Sequence, residues 1–251
     1  MSLRPPRGAD SSLKIALIGG HGRTGRAILA AAKDEDIEIV AVLGRNDDLA
    51  KGIMGADAVL DFSTVEATRS VVHHAVEQRK SLVIGTTGHS PEERRALCST
   101  IADLPVVWSG NYSIGVNLVF KLTQLAGGML GSDYDCEIVE AHHRYKMDAP
   151  SGTAATLLNI VRETRANGTW QNGRADAGVG PKGKEIGVHA VRGGDIVGDH
   201  VVVFAGAGER LELVHRASDR AIFARGALRA ARWIRDRPAG LYSMQDVLWM
   251  E

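Results

Sequence analysis

Short apolar runs alternate with amphipathic stretches along the first half of the chain. The apolar runs predict β-strands at residues 13–18, 37–43, 58–62, 81–84 and 106–108. The amphipathic stretches predict helices at residues 26–33, 65–78 and 91–102. Alternating strands and helices are typical of a parallel sheet that is covered on both faces, so the pattern predicts an α/β fold.

The pattern changes after Asn111. Helices are predicted at residues 116–130, 153–165 and 221–235, and strands at residues 134–140, 185–191, 200–205 and 210–216. Glycine-rich turns separate the last three strands, which indicates an antiparallel or mixed sheet. Residues 168–184 are rich in Gly and also contain Asn172 and two lysines, and a mobile loop is expected there.

The composition excludes several classes of protein. With 251 residues, 44% of them hydrophobic, the chain is long enough for one large domain or two small ones. Thirty basic residues balance thirty acidic ones, so no net charge favours nucleic acid or an anionic membrane surface. No apolar run approaches the roughly 20 residues of a membrane span. Residues 1–12 lack the apolar core of a signal peptide and are expected to be a disordered tail.

The cysteine content indicates the compartment and argues against a metal centre. The chain has two cysteines, Cys98 and Cys136. Two cysteines provide neither a disulfide framework nor a cluster of metal ligands. A reducing, cytoplasmic environment fits this usage.

A glycine-rich segment follows the first predicted strand. Gly20-His-Gly-Arg-Thr-Gly25 fits the pattern G-x-G-x-x-G, and Gly19, Gly22 and Gly25 give an overlapping register. Such glycines permit a tight turn, close approach to a pyrophosphate, and close packing of helix against strand. At the first turn between strand and helix, the pattern predicts dinucleotide binding, and an ordinary glycine-rich turn is the alternative.

The end of the second predicted strand bears on the choice of nucleotide. NAD binders usually carry Asp or Glu there for the ribose hydroxyls, whereas this chain has Gly44 followed by Arg45. A guanidinium can hold a 2′-phosphate through paired hydrogen bonds, which favours NADPH. The alternatives are a solvated Arg45, and a ribose contact from Asp47 or Asp48.

Residues 140–153 combine two histidines, a lysine and a helix start. The positive charges of His142, His143 and Lys146 are costly together unless an anion arrives. The first amides of a helix bind anions, and Ser151 suits the helix entry. The segment therefore predicts a site where an anionic substrate is protonated, and a purely structural network is the alternative. Asp148 can orient Lys146 or cap the turn, and the cap is the favoured interpretation.

Several further motifs complete the pattern. They are Asp61-Phe-Ser63, Gly85-Thr-Thr-Gly88, Asn111-Tyr-Ser-Ile-Gly-Val-Asn117, Arg192-Gly-Gly194, Gly198-Asp-His200, Gly206-Ala-Gly-Glu209 and Gly240-Leu-Tyr-Ser-Met-Gln-Asp-Val-Leu248. Together with Gly22-Arg-Thr-Gly25 and the segment from Glu140 to Ala154, they resemble the 4-hydroxy-tetrahydrodipicolinate reductase family, also called the dihydrodipicolinate reductase family. The resemblance covers nearly the whole chain from Lys14 onward.

The resemblance implies a reductase that uses NADH or NADPH on a small cyclic, unsaturated dicarboxylate in lysine and diaminopimelate synthesis. It makes His142 and Lys146 the catalytic pair, with His142 the better proton donor because imidazole titrates near neutrality. It assigns His143 and the amides of Gly152 and Thr153 to a substrate carboxylate. Its implied cofactor contacts, in addition to Arg45, are Gly19, Gly20, His21, Gly22, Arg23, Thr24, Gly85, Thr86, Thr87, Ser109, Gly110, Asn111 and Tyr112.

The resemblance also implies how the chain is organised. Residues 13–112, completed by 221–251, are expected to form a Rossmann domain. Residues 113–220 are expected to form a substrate-binding and oligomerisation domain with a mixed sheet, in a homotetramer. Two other functions stay open: another two-domain NAD(P)-dependent oxidoreductase acting on an imine or carbonyl, and a non-catalytic dinucleotide-sensing regulator.

Overall fold

A computed structural model describes residues 12–165, 168–174 and 183–250. These residues form two compact units. Unit 1 runs from the start of the described chain to Tyr112 and resumes at Phe223, and unit 2 is Ser113–Ile222. The tail expected to be disordered lies, except for Ser12, outside the described residues.

Unit 1 contains a six-stranded sheet in which every strand pair is parallel. Its strands are β1 (Leu13–Ile18), β2 (Ile37–Leu43), β3 (Ala58–Asp61), β4 (Ser81–Ile84), β5 (Pro105–Trp108) and β11 (Gly240–Tyr242). The strand order is β11-β5-β4-β3-β1-β2. The order reverses between β1 and β3, and ligands of such sheets bind outside the carboxyl ends of the strands at this point.

Helices cover both faces of this sheet. They are α1 (Arg23–Ala32), α2 (Leu49–Gly52), α3 (Val65–Glu77), α4 (Pro91–Thr100), α7 (Ala221–Ile234) and α8 (Met244–Trp249). Alternate residues of β1 enter opposite cores because side chains of a strand alternate in direction. Ile15 and Leu17 pack in the core with α1, α7 and α8, whereas Ala16 and Ile18 pack in the core with α3 and α4.

Two features of unit 1 differ from the prediction. Helix α1 begins at Arg23, three residues before the predicted start, because Gly22 is its N-cap and Gly25 fits closely against the preceding turn. Strand β11 and helix α8 were not predicted from the sequence, because both are short. Ser243 starts α8 with a capping box, a signal that the sequence contains.

Unit 2 contains a mixed five-stranded sheet. Its strands are β6 (Asp135–His142), β7 (Trp170–Asn172), β8 (Ile186–Arg192), β9 (Gly198–Gly206) and β10 (Glu209–Ala217), in the order β10-β9-β6-β8-β7. Strand β6 is parallel to β8 and antiparallel to β9. The two sheets confirm the predicted fold class, α/β with a mixed second sheet. Strand β7 corrects the prediction of a loop over 168–184, since it pairs with β8; residues 175–182 lie outside the described chain.

Two long helices pack in unit 2, α5 (Ile114–Leu130) and α6 (Gly152–Thr164), with a 3-10 turn at Gly131–Asp133 between α5 and β6. The core joins Ile138 and Phe204 of the sheet to Leu157 and Val161 of α6. Over the described ranges, no helix is both long and apolar enough to cross a membrane.

Candidate active site

A cluster of ionisable side chains lies at the end of β6 in unit 2. Glu140 and His142 are two positions apart on this strand, so they point to the same face, and both are buried, with His142 only 9% exposed. His142 is the last residue of the strand and does not belong to the loop that follows. Neighbouring strands add two more side chains, because His200 of β9 is paired with Glu140 and Arg192 of β8 with His142.

The carboxylate of Glu140 organises this cluster. It accepts hydrogen bonds from Arg192 Nη1 and Nη2, at 2.7 and 2.8 Å. His142 Nδ1 lies 2.6 Å from Glu140 Oε2, and the Ser151 amide donates to Oε1 at 3.0 Å. Burial opposes ionisation, but the bonds from Arg192, His142 and the Ser151 amide outweigh it and hold the pKa of Glu140 below its usual value. Glu140 is therefore a fixed anion at neutral pH.

His142 presents one ring nitrogen for chemistry. Because Nδ1 donates to Glu140, Nε2 is the nitrogen that remains for a ligand. Gly198 lies beside it, and a Cβ at that position would come within 3.0 Å of Nε2. Burial lowers the pKa of His142 below 6.5; Glu140 opposes this effect, whereas the charges of Lys146 and Arg192 add to it. Without a ligand the ring is neutral at pH 7.

The loop after His142 brings Lys146 to the cluster. Its Nζ lies 2.9 Å from Asp148 Oδ1, and Arg192 Nη2 donates to the Asp148 carbonyl at 2.6 Å. Burial opposes ionisation of Asp148, but the bond from Lys146 keeps its pKa below the usual value. The Asp148 carboxylate pairs with Lys146, as the alternative interpretation of this residue expected, and the N-cap of α6 is Ser151.

The start of α6 lies next to these charges. Ser151 Oγ accepts from the Ala154 amide at 3.2 Å, and Gly152 and Thr153 are the first two residues of the helix. A Cβ at Gly152 would meet no atom within 4 Å, so the helix start is open. His143 is half-buried, and its Nδ1 has no hydrogen-bond partner among the residues that the structure describes. Helix dipole and cations together favour a carboxylate here.

Three residues of the cluster were not predicted as site residues. They are Glu140, Arg192 and His200, and each lies on a different strand. The alternation that places Glu140 on the face of His142 was readable from the sequence. The pairing of β6 with β8 and β9 was not, because strand order is a property of the fold. Among the described residues, no group of three or more His, Cys, Asp or Glu side chains is arranged to hold a metal ion.

All predicted cofactor residues lie in unit 1, and the glycine motif forms its first turn. Gly19 has a φ of +79° and follows β1, and a Cβ there would overlap the backbone that follows β3. A Cβ at Gly25 would overlap the carbonyl of Gly19. Gly22 caps α1 without a side chain, so Arg23 and Thr24 occupy its first turn. The close turn and the helix start fit a pyrophosphate.

The end of β2 lies beside this turn. Gly20 packs against β2, and the ring of His21 lies against Gly44. The Gly44 amide donates to Asp47 Oδ2 at 2.7 Å, so a carboxylate lies at the strand end although residue 44 is a glycine. Arg45 is exposed immediately after it. The structure thus places both a cation and an anion where an adenosine ribose is recognised in this fold.

The turn after β4 packs closely on the end of β3. A Cβ at Gly85 would overlap the ring of Phe62. Thr86 is buried, and its Oγ1 accepts from the Ser63 amide at 3.1 Å. Thr87, the next residue, is exposed. Of the two threonines, Thr87 has the more accessible side chain.

The turn after β5 is held by its own side chains. Ser109 Oγ donates to the Asn111 carbonyl at 2.8 Å, and Gly110 between them is exposed. Tyr112 is buried, and its hydroxyl donates to a carbonyl of β4 at 2.8 Å and lies 3.2 Å from a carbonyl of β5. The phenol of Tyr112 therefore braces the two strands.

Comparison with known proteins gives the same picture for both halves of the chain. Sequence models described as the N-terminus and the C-terminus of dihydrodipicolinate reductase match residues 13–112 and 115–248. The 4-hydroxy-tetrahydrodipicolinate reductase of Akkermansia muciniphila is 44% identical over 241 residues, covering 94% of this chain and 98% of the relative. That of Zymomonas mobilis is 42% identical over 252 residues, covering 95% of this chain and 98% of the relative.

A solved structure has the same fold. The dipicolinate-bound dihydrodipicolinate reductase from Paenisporosarcina sp. TG-14 superposes with a TM-score of 0.77 at 24% identity, covering 92% of this chain and 97% of that chain. The family models together span almost all of the described residues, and the relatives match nearly end to end. The resemblance carried by the sequence motifs is therefore confirmed: the chain belongs to the dihydrodipicolinate reductase family.

Proposed function

We propose that the protein reduces 4-hydroxy-tetrahydrodipicolinate to tetrahydrodipicolinate with NADPH or NADH, in lysine and diaminopimelate synthesis. The observation that carries this proposal is the pairing of His142 Nδ1 with the buried Glu140 at 2.6 Å, next to the open start of α6. It combines an oriented proton donor with a carboxylate site, as reduction of a cyclic dicarboxylate requires. Family membership supports the same reaction.

His142 and Lys146 supply the acid chemistry in this proposal. Loss of the 4-hydroxyl as water gives the conjugated ring that accepts the hydride. When bound, the reduced nicotinamide supplies that hydride, which leaves negative charge on the substrate ring. His142 Nε2 delivers the proton, and Glu140 stabilises the imidazolium that precedes transfer. Lys146 stabilises the developing negative charge. Since the ring of His142 is neutral without a ligand, the charges of an arriving dicarboxylate raise its pKa and load the proton.

The substrate carboxylates bind at the other side of the cluster. His143 and the helix start at Gly152 and Thr153 contact one carboxylate. The support is the half-buried imidazole of His143 and the space around Gly152. The relative whose structure contains dipicolinate, an aromatic dicarboxylate, supports this ligand class.

The reductase assay tests the proposed function. Purified enzyme is mixed with freshly generated 4-hydroxy-tetrahydrodipicolinate and either nucleotide, and the loss of reduced-nicotinamide absorbance is followed. We expect turnover with at least one nucleotide and competitive inhibition by pyridine-2,6-dicarboxylate. Pyridine-2-carboxylate is the matched control and should inhibit far less. Absence of turnover with both nucleotides would contradict the proposal and favour the dinucleotide-sensing regulator, whereas turnover only with another imine or carbonyl would favour the other oxidoreductase.

We also propose that the enzyme prefers NADPH, with Arg45 as the selector. The glycine turn from Gly20 to Gly25 suits the pyrophosphate that both nucleotides share, so selection falls to the end of β2. One charge-assisted contact to the 2′-phosphate changes affinity by roughly 10–150-fold. Asp47 opposes this preference, because its carboxylate lies at the Gly44 amide, where a ribose diol would bind.

Calorimetric titration of both nucleotides tests this preference. We expect wild type to bind NADPH more tightly, Arg45→Ala to lose the preference, and Asp47→Asn to strengthen it by weakening NADH binding. Tighter binding of NADH by wild type, or an unchanged ratio in Arg45→Ala, would show that Arg45 is not the selector.

We further propose the organisation and location implied by the resemblance: a cofactor domain of residues 13–112 and 221–251, a substrate domain of residues 113–220, a homotetramer, and the cytoplasm. Helix α7 packs in the same hydrophobic core as β1, which supports the cofactor domain formed from both ends of the chain. Exposed apolar side chains on unit 2, including Leu122, Leu125 and Met129 of α5, support self-association. Neither Cys98 nor Cys136 forms a disulfide, which fits a reducing compartment. Sedimentation velocity tests the tetramer, and a monomer mass would contradict it.

A further inference from the structure

His200 is a buried histidine that contacts two parts of the substrate cluster. It lies on β9 opposite Glu140 and is 4% exposed. Its Nε2 is 3.1 Å from Ser151 Oγ, the cap of α6. Its ring meets the ring of His142 edge to face, with centroids 5.2 Å apart and an interplanar angle of 74°. His200 therefore joins the helix start to the proton donor.

The hydrogen bond to Ser151 is the polar contact that fixes this ring. Nδ1 of His200 has no hydrogen-bond partner in the part of the chain that the structure describes. Burial lowers the pKa of His200 to about 4, with a contribution from His142, so the ring is neutral at pH 7. Ser151 Oγ already accepts from the Ala154 amide, and its own proton can be donated to a neutral Nε2.

Ser151 connects His200 to the anion site. The Ser151 amide donates to Glu140, and its side chain caps the helix whose first residue is Gly152. Movement of Ser151 would therefore shift both the helix start and the carboxylate that orients His142. We propose that His200 is a positioning residue of this site, which holds Ser151 and packs His142 for dicarboxylate binding. This inference rests on the proposed function.

Unit 2 provides a matched control for this role. Ser113 caps α5 in the same way, accepting from the Val116 amide at 3.2 Å, and its Oγ lies 3.4 Å from His215 Nε2. The pair of Ser113 and His215 thus repeats the serine–histidine cap on a different helix. It lies outside the contacts that Glu140 makes.

Two substitutions separate the hydrogen bond from the packing. His200→Phe keeps an aromatic ring against His142 but removes the nitrogen that binds Ser151. His200→Gln restores a polar group at the distance of Nε2. Leaving a buried hydroxyl without its partner changes affinity on the order of tenfold. We expect His200→Phe to weaken binding of pyridine-2,6-dicarboxylate and to raise KM for the substrate by about tenfold, with a smaller change in kcat. His200→Gln should recover affinity to within about threefold of wild type.

The controls distinguish positioning from a general effect on folding. NADPH affinity should stay within about twofold in every variant, and His215→Phe should leave dicarboxylate affinity unchanged. Dicarboxylate affinity within twofold of wild type in His200→Phe would overturn the proposal. Equal losses in His200→Phe and His215→Phe, or no recovery in His200→Gln, would overturn it as well.

The test still gives a result if His200→Phe misfolds or if the proposed function is wrong. If His200→Phe does not fold, His200→Leu, which also lacks the nitrogen that binds Ser151, replaces it in the test. Combined with Ser151→Ala, it should bind dicarboxylate no more weakly than Ser151→Ala alone, and additive losses would overturn the proposal. Failure of the proposed function is distinguishable, because it would appear as absence of reductase turnover in wild type. The calorimetric comparison of wild type with the His200 variants does not depend on turnover.

Discussion

Replacing Glu140 with Gln changes the carboxylate whose two oxygens accept the hydrogen bonds that hold the cluster together. The change keeps the size of the side chain and removes one charge. The carboxylate accepts two bonds from Arg192, one from His142 and one from the Ser151 amide, at 2.6–3.0 Å. An amide offers one acceptor oxygen, and its NH2 group faces N–H groups with which it cannot bond. At least one of these donors is left unsatisfied.

The magnitude follows from burial. Glu140 is fully buried, and breaking a buried, hydrogen-bonded charge pair costs about 3–5 kcal/mol. We expect Glu140→Gln to lower the free energy of unfolding by about 3 kcal/mol. The imidazolium of His142 also loses its stabilising anion, so the pKa of His142 falls further. Each unit of that fall reduces the protonated fraction about tenfold at neutral pH, and we expect kcat/KM to drop by roughly 10²-fold or more.

Chemical denaturation and steady-state kinetics measure both effects. Glu137→Gln is the matched control, because Glu137 lies on the same strand and binds His189 Nε2 at 2.7 Å, with Arg174 at 3.6 Å. We expect this variant to keep kcat/KM within about threefold of wild type. A folded Glu140→Gln enzyme with kcat/KM within threefold of wild type would refute the role given to Glu140.

Three further predictions concern acid stability, the ion pair of Lys146 and helix α7. The pKa of Glu140 is lower in the folded protein than in the unfolded chain, so the stability that its ionised carboxylate contributes is lost as the pH falls through the folded pKa. The unfolding free energy of Glu140→Gln should therefore decline less steeply in acid than that of wild type, and identical slopes would contradict this. Asp148→Asn should lower kcat/KM by about threefold to tenfold by releasing Lys146, as measured by steady-state kinetics, and no change would show that the ion pair is incidental. Gly226→Ala should lower the free energy of unfolding by about 1–3 kcal/mol, because a Cβ would overlap the Tyr112 carbonyl. The control Gly128→Ala, where a Cβ meets no atom, should be neutral or stabilising, and equal melting temperatures of the two variants would contradict the packing of α7 in unit 1.

Much of the fold was predictable because its signals are local. Strands β1, β2 and β4 begin and end where the apolar runs do, and α6 begins within one residue of its predicted start. In both domains strands alternate with helices, and the different hydrophobic periods of strands and helices can be recognised in the sequence itself. By contrast, β7 has three residues and is stabilised by its pairing with β8, so no local signal marks it.

The part of the candidate site that lies within residues 140–153 was predictable from the sequence. His142, His143 and Lys146 are close in sequence, and the structure keeps them close. The other half of the cluster comes from β8 and β9, and Arg192 and His200 reach Glu140 and His142 only through strand pairing. Asp148 illustrates the remaining difficulty, since a carboxylate in this loop fits both a cap of the turn and an ion pair until the position of Lys146 is known.

The kinetics of His142→Gln test the central claim, that this residue protonates the dicarboxylate, most directly. The variant is assayed with 4-hydroxy-tetrahydrodipicolinate and NADPH, and its nucleotide affinity is measured by calorimetry. His189→Gln is the control, because His189 also pairs with a carboxylate, that of Glu137, at 2.7 Å. We expect kcat to fall on the order of 10²–10⁴-fold, with nucleotide affinity nearly unchanged and His189→Gln close to wild type. A loss of less than about fivefold in a folded His142→Gln enzyme would contradict the claim.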